Sequence, residues 1–318
     1  MNDGPGRLPQ FRDLPHEEGG ARSAWGLFGP DDGIGLMNLI TPEKTRDAAR
    51  LVRRGAMFPL DVQLGFVDPP FFDRGLPRHT LIERRPGRTF DDAYDNLFPQ
   101  ASSQWDSLAH VAARPEQFYN GATRAQIRAG ERNTIDHWAR RGIATRGILL
   151  DVSERVSERG GPGESVAVTA ADLDEARDRA GVEFEPGDVM LVRTGFLSWY
   201  GDQSRESRVR MSRRESTAAP GLERSESMAE YLWNAHVVGV ASDTVGLEVW
   251  PGEEDPGPFG SLHRILIGLY GLAIGELWQL DELARDCRAD GRYDVFLTSA
   301  PWNFPGAIGS PPNALALK

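Results

Sequence analysis

Four short runs constrain this chain most. Residues 147–152, 188–195, 236–243 and 293–300 are rich in Val, Leu and Ile and lack regular apolar–polar alternation. Runs of this kind read as strands covered on both faces, which requires packed layers on either side of a sheet. Helix signals fall between and before them. Thr41 caps a helix with Pro42 at its first position and Glu43 in its first turn, and Gly55 fits just past its end. Ala48, Ala49, Leu51 and Val52 are expected to face the core. A second helix is predicted from about Thr134 to Arg141, closed by Gly142, and a third from about Thr169 to Gly181. Strands interleaved with helices predict an α/β, mixed α+β, layered domain.

Residues 1–24 are polar and rich in Gly and Pro and read as an N-terminal arm, with 25–318 as a single domain. Residues 202–228 are rich in Ser and Arg and hold few large apolar side chains. They are predicted to form a mobile surface loop, with a lid or an oligomer contact as alternatives.

Charge and cysteine usage exclude some classes. Acidic residues outnumber basic ones, 47 to 36, for a net charge of −11, which argues against nucleic acid as a partner. Cys287 is the one cysteine, so no intramolecular disulfide forms and nothing points to an oxidising compartment. The first residues lack the apolar centre of a signal peptide. The most apolar run, 265–275, is too short to span a bilayer. A cytoplasmic protein with no membrane partner is expected.

The common nucleotide and nucleophile signatures are missing: no Gly-Lys-Ser/Thr phosphate loop, no Gly-x-Ser-x-Gly elbow, no HExxH. Cys287 lies in a polar helical segment with no histidine close by in sequence. Two stretches stand out instead. PQASSQWDSLAH, 99–110, holds Gln100, Gln104, Asp106 and His110. In an extended segment the side chains at 100, 104 and 106 share a face. A helical turn after Asp106 would set His110 on the same side. Alone, an Asp and a His spaced like Asp106 and His110 are more often a surface pair or a helix cap. The second stretch, 261–276, brackets an apolar run with His263 and Glu276. A carboxylate closing such a run is partly buried, and buried charge needs a partner or a metal.

Together the two stretches resemble the cyclase-like family, which includes bacterial kynurenine formamidases and isatin hydrolases. Its signature is His-x-Gly-Thr-His-x-Asp-x-Pro-x-His. Here the aligned residues read Gln100-Ala-Ser-Ser-Gln104-Trp-Asp106-Ser-Leu-Ala-His110, with the spacing kept, Gln in place of the first two histidines and Leu108 at the Pro position. The Ser-x-Gln-Trp-Asp form, followed by Phe118-Tyr119-Asn120-Gly121, resembles a branch of cyclases in actinobacteria and fungi. Further matching segments are Trp25 to Gly29, Pro186 to Gly195, Ser242-Asp243, Glu248 to Pro251 and 309–316.

The resemblance implies a swivelling β/β/α fold and a homodimer or homotetramer. It implies a divalent metal, Mn²⁺ or Zn²⁺ with Mg²⁺ as an option, held by Asp106, His263 and Glu276. Gln104 would be a neutral oxygen ligand and Gln100 a metal or substrate contact. The expected reaction is hydrolysis of an amide, lactam or ester in a small cyclic or aromatic substrate, with His110 moving protons. Trp25, Trp105, Tyr119, Asn120 and Trp302 are expected around the substrate, with Phe71 and Phe72 as further candidates. The alternatives are a metal-dependent cyclase or dehydratase of secondary metabolism, and a binding protein that kept the fold without the chemistry.

Overall fold

The computed structural model describes residues 8–17, 20–252 and 257–318. The strands in chain order are β1 Met57–Pro59, β2 Arg78–Arg85, β3 Thr89–Asp95, β4 Gln104–Asp106, β5 Ile143–Asp151, β6 Ala167–Val168 and β7 Val189–Arg193. They continue with β8 Gly221–Leu222, β9 Gly239–Ser242, β10 Ala273–Glu276, β11 Asp294–Ser299, β12 Gly309–Ser310 and β13 Ala314–Leu317. Nine of them form one sheet in the order β1-β13-β11-β5-β7-β9-β10-β4-β12. β5, β7, β9 and β10 run parallel at its centre, and antiparallel strands complete both sides. The fold is mixed α/β. All four runs lie in this sheet: three are in the central parallel strands β5, β7 and β9, which bury both faces, whereas the fourth is β11, antiparallel to both neighbours and alternately buried.

Helices cover the sheet where their caps are legible. Thr41 accepts a hydrogen bond from Lys44 N ahead of the helix Pro42–Ala49, which packs on β5 and β11. Thr169 and Asp172 form a capping box for Ala170–Ala180. The helix Ile135–Arg141 ends at Gly142. The first helix stops at Ala49, and of the four residues expected in the core only Ala48 is buried.

Two expectations need correction. Residues 202–228 do not form a structureless loop. They contain the helix Arg205–Met211, capped by Ser204, a short turn at Arg214–Ser216, β8 and the start of the helix Glu226–Asn234. Arginine takes over the packing that large apolar residues would supply. The Arg208 guanidinium lies 4.7 Å from the Tyr200 ring centroid and 5.9 Å from that of Phe66. The arm also differs from expectation where it is described; 1–7 and 18–19 lie outside the described residues. Leu8, Phe11 and Leu14 are buried in the main core.

No helix among the described residues is long and apolar enough to cross a membrane. The apolar run 265–275 is two elements: a π-helical segment, Arg264–Tyr270, and most of β10. Gly271 joins them with φ +69°, and a Cβ there would meet the Tyr119 ring at 2.6 Å. Cys287 is fully buried in the helix Asp281–Asp290, and burial pushes its thiol up to about 11. Native protein at pH 8 is expected to resist thiol-specific labelling, with one equivalent reacting on unfolding. Rapid labelling of the folded chain would contradict this packing.

Candidate metal centre

β4 and β10 position the site between them. They pair antiparallel with Gln104 opposite Glu276 and Asp106 opposite Ile274. Gln104 and Asp106, two residues apart on one strand, share a face, while Trp105 points the other way. The register sets Gln104 Nε2 to donate to Glu276 Oε2 at 2.5 Å. Leu247 N donates to the other oxygen, Oε1, at 3.2 Å. His263 arrives from the residue preceding the π-helical turn, a conformation frequent at functional sites. Its Nε2 lies 3.0 Å from Glu276 Oε1 and 3.9 Å from Asp106 Oδ2.

One ligand atom each from Asp106, His263 and Glu276 lies within 4.8 Å of the others. Asp106 is fully buried, and neither of its carboxylate oxygens has a hydrogen-bond partner. Gln104 Oε1 is also buried without a partner. A buried carboxylate with no hydrogen bond is costly, and the imidazoles of His110 and His263, 3.8 and 3.9 Å away, approach it without satisfying it; a cation at this point relieves it. Two carboxylates, one imidazole and an amide oxygen suit a divalent ion. The residues therefore fit a metal.

The electrostatics agree. Burial holds the Asp106 carboxyl above its ordinary range, partly offset by His110, and Glu276 adds to the rise. Burial opposes the His263 imidazolium, but Glu248 and Glu276 outweigh it and raise the ring well above its usual value. Without a metal, the positive charge among these carboxylates is the proton on His263. A bound cation supplies it instead.

Glu248, to which the sequence reading gave no role, belongs here. Its Oε2 accepts from His263 Nδ1 at 2.5 Å. Burial raises this carboxyl, but His263 outweighs that and holds it below its ordinary range. By accepting the hydrogen bond from Nδ1, Glu248 orients the ring so that Nε2 faces Asp106 and Glu276. A lone acid inside the apolar segment VGLEVW was the available signal, of the same kind that marks Glu276.

A cavity of about 650 Å³ opens over His110, His263 and Glu276. His110 sits on a turn rather than a helix, its N–H donating to Ser107 O. Its Nε2 lies 3.8 Å from Asp106 Oδ1, the oxygen other than the one nearest His263. The Gln100 side chain packs beside Gly309, where a Cβ would meet its amide nitrogen at 2.3 Å.

The five residues expected around the substrate do not line this cavity. Trp105 is fully buried, its indole N–H donating to Ser299 Oγ and its ring edge-on to Trp278. Tyr119 is buried and donates to Asp32. Asn120 ties down the loop at Gly26 and Gly29, Trp25 bonds Gly268 O, and Trp302 N bonds Ser310. Phe71 is buried in a second cluster, whereas Phe72 and Trp250 form the aromatic wall.

Residues 62–249 match the family described as Putative cyclase. A crystal structure of a novel cyclase superposes with a TM-score of 0.80 at 33% identity, covering 93% of this chain and 99% of that one. Isatin hydrolase A from Labrenzia aggregata, bound to benzyl benzoate, gives 0.60 at 17% identity over 85% and 94% of the two chains. Isatin hydrolase A from Ralstonia solanacearum gives 0.58 at 18% over 83% and 92%. No curated protein sequence matches the chain.

Proposed function

The chain belongs to the cyclase family, and from that premise we propose that it is a metal-dependent hydrolase opening an amide, lactam or ester bond in a small cyclic or aromatic substrate. One observation carries the reading: both oxygens of the buried Asp106 lack partners where His263 and Glu276 converge. The isatin hydrolases that share the fold are hydrolases by name, which agrees with it.

Asp106, His263 and Glu276 would hold the ion, with Gln104 Oε1 beside them. A divalent ion supplies Lewis acidity, which eases deprotonation of water and polarises a carbonyl. The chain's own groups do the rest. Glu248 fixes the His263 ring, and Gln104 and Leu247 N fix the Glu276 carboxylate. His110, at the cavity wall beside Asp106, takes a proton from the attacking water and returns it to the leaving nitrogen or oxygen.

Protein purified without chelator is expected to carry about one Mn²⁺ or Zn²⁺ per chain. It should hydrolyse at least one member of a panel of formanilides, lactams and aryl esters. Chelation should take turnover to background, and added metal should restore it. Full turnover in the stripped protein would overturn the reading. So would a product that has lost water rather than gained it.

A further inference from the structure

The lining of the cavity carries two arginines, Arg74 and Arg214, outside the group that would hold the metal. The Arg214 side chain is exposed, and its guanidinium carbon lies 4.6 Å from the Trp250 ring centroid and 5.5 Å from that of Phe72. The Arg74 guanidinium carbon lies 5.5 Å from the Phe72 centroid, and its Nη1 donates to Gln100 O at 2.6 Å. Neither forms a close ion pair with a carboxylate among the described residues, although the Arg74 charge helps to lower the Asp106 carboxyl that burial raises, in a chain whose acids outnumber its bases 47 to 36. Arg224, in the same wall, is the contrast. It donates to Val249 O and Gly260 O and lies 4.0 Å from Glu248.

The backbone is bent to present these groups. Phe72 and Asp73 are consecutive non-glycine residues with φ of +61° and +58°, a conformation bulky L-residues rarely adopt and one that concentrates at ligand sites. The result is an apolar corner, Phe72 edge-on to Trp250 at 5.2 Å, with guanidinium carbons 4.6–5.5 Å from the ring centroids. Stacking fixes a guanidinium's plane and leaves its N–H fork free for a planar anion.

We propose that Arg74 and Arg214 bind an anionic group, a carboxylate, carried by the substrate beside a flat apolar body that lies on Phe72 and Trp250. The inference rests on the hydrolase reading and narrows it. The substrate has a scissile acyl bond at the metal end of the cavity and a negative charge at the rim.

The probe is benzoate, compared with neutral benzamide and titrated into the full chain by calorimetry, metal-loaded and metal-stripped. Benzoate is expected to bind at least ~10-fold more tightly than benzamide in both forms. Arg74→Gln and Arg214→Gln should each remove about 10-fold of benzoate affinity while leaving benzamide unchanged, and the double variant should erase the preference. Arg214→Lys should restore part of it. If Arg74→Gln lowers the thermal midpoint, the exposed Arg214 carries the test. A preference untouched by both substitutions, or lost with the metal, means that benzoate sits on the ion and overturns the proposal. Arginine-dependent benzoate binding without hydrolysis of any panel compound would leave this inference standing and sink the hydrolase reading. Hydrolysis with no anion preference would do the reverse.

Discussion

Asp106→Asn is expected to abolish metal binding and turnover together while making the metal-free protein more stable. The carboxylate is fully buried with neither oxygen hydrogen-bonded and its nearest imidazoles 3.8 and 3.9 Å away, so as an anion it carries a net penalty unless a cation sits closer. Asparagine keeps the shape and removes the charge, at the smaller cost of a buried amide. The metal-free variant should gain about 1–3 kcal/mol. Wild type should gain about 2.7 kcal/mol when metal reaches 100 times its dissociation constant, and the variant nothing. Melting curves with and without Mn²⁺ or Zn²⁺ separate the two effects. The pH dependence has a definite sign. Burial raises the folded-state pKa of Asp106, so in stripped protein this group's penalty is present above that raised value. It is relieved as pH falls back toward the ordinary carboxylate range, the reverse of a salt-bridged carboxylate. A metal-free variant several kcal/mol less stable than wild type would mean that Asp106 is a structural anion whose partner is something other than a metal.

The parts of this molecule that sequence made legible are those where local chemistry and tertiary context agree. Thr41 and Thr169 precede helices because a capping hydroxyl works at the level of four residues, whereas Thr134 stands at the N-cap position with its hydroxyl on the Asp136 carboxylate instead. The central strands were legible because burial on both faces removes alternation. β4 was legible as an extended segment, and the same alternation contains the correction to Trp105. If Gln104 and Asp106 face the site, the residue between them must face away, and Trp105 does. The aromatic wall was less accessible. Phe72 and Trp250 meet from segments 178 positions apart, and Phe72 and Asp73 hold a left-handed backbone that their residue types do not announce. Residues 202–228 misled for a related reason. Their arginines pack by stacking on rings, a use of charge that composition counts as exposure.

His110→Ala is expected to leave metal content nearly unchanged and to lower turnover by about 10²–10⁴-fold, the usual share of general acid–base catalysis. The geometry separates this residue from the three that would hold the ion. His263 approaches Oδ2 of Asp106, whereas His110 approaches Oδ1 at 3.8 Å and lies outside the group converging within 4.8 Å. Its side chain is a quarter exposed, so it can exchange a proton with water and with a substrate in the cavity. Its N–H donates to Ser107 O, a hydrogen bond that alanine keeps, so the thermal midpoint should move little. The loss should fall on kcat, with KM changed less, because the imidazole acts when the proton moves rather than when the substrate binds. Loss of metal in a folded His110→Ala protein would make the residue a ligand. A fall in the thermal midpoint with near-normal turnover per folded molecule would make it structural. Metal content, kcat and melting temperature on this one variant distinguish all three roles.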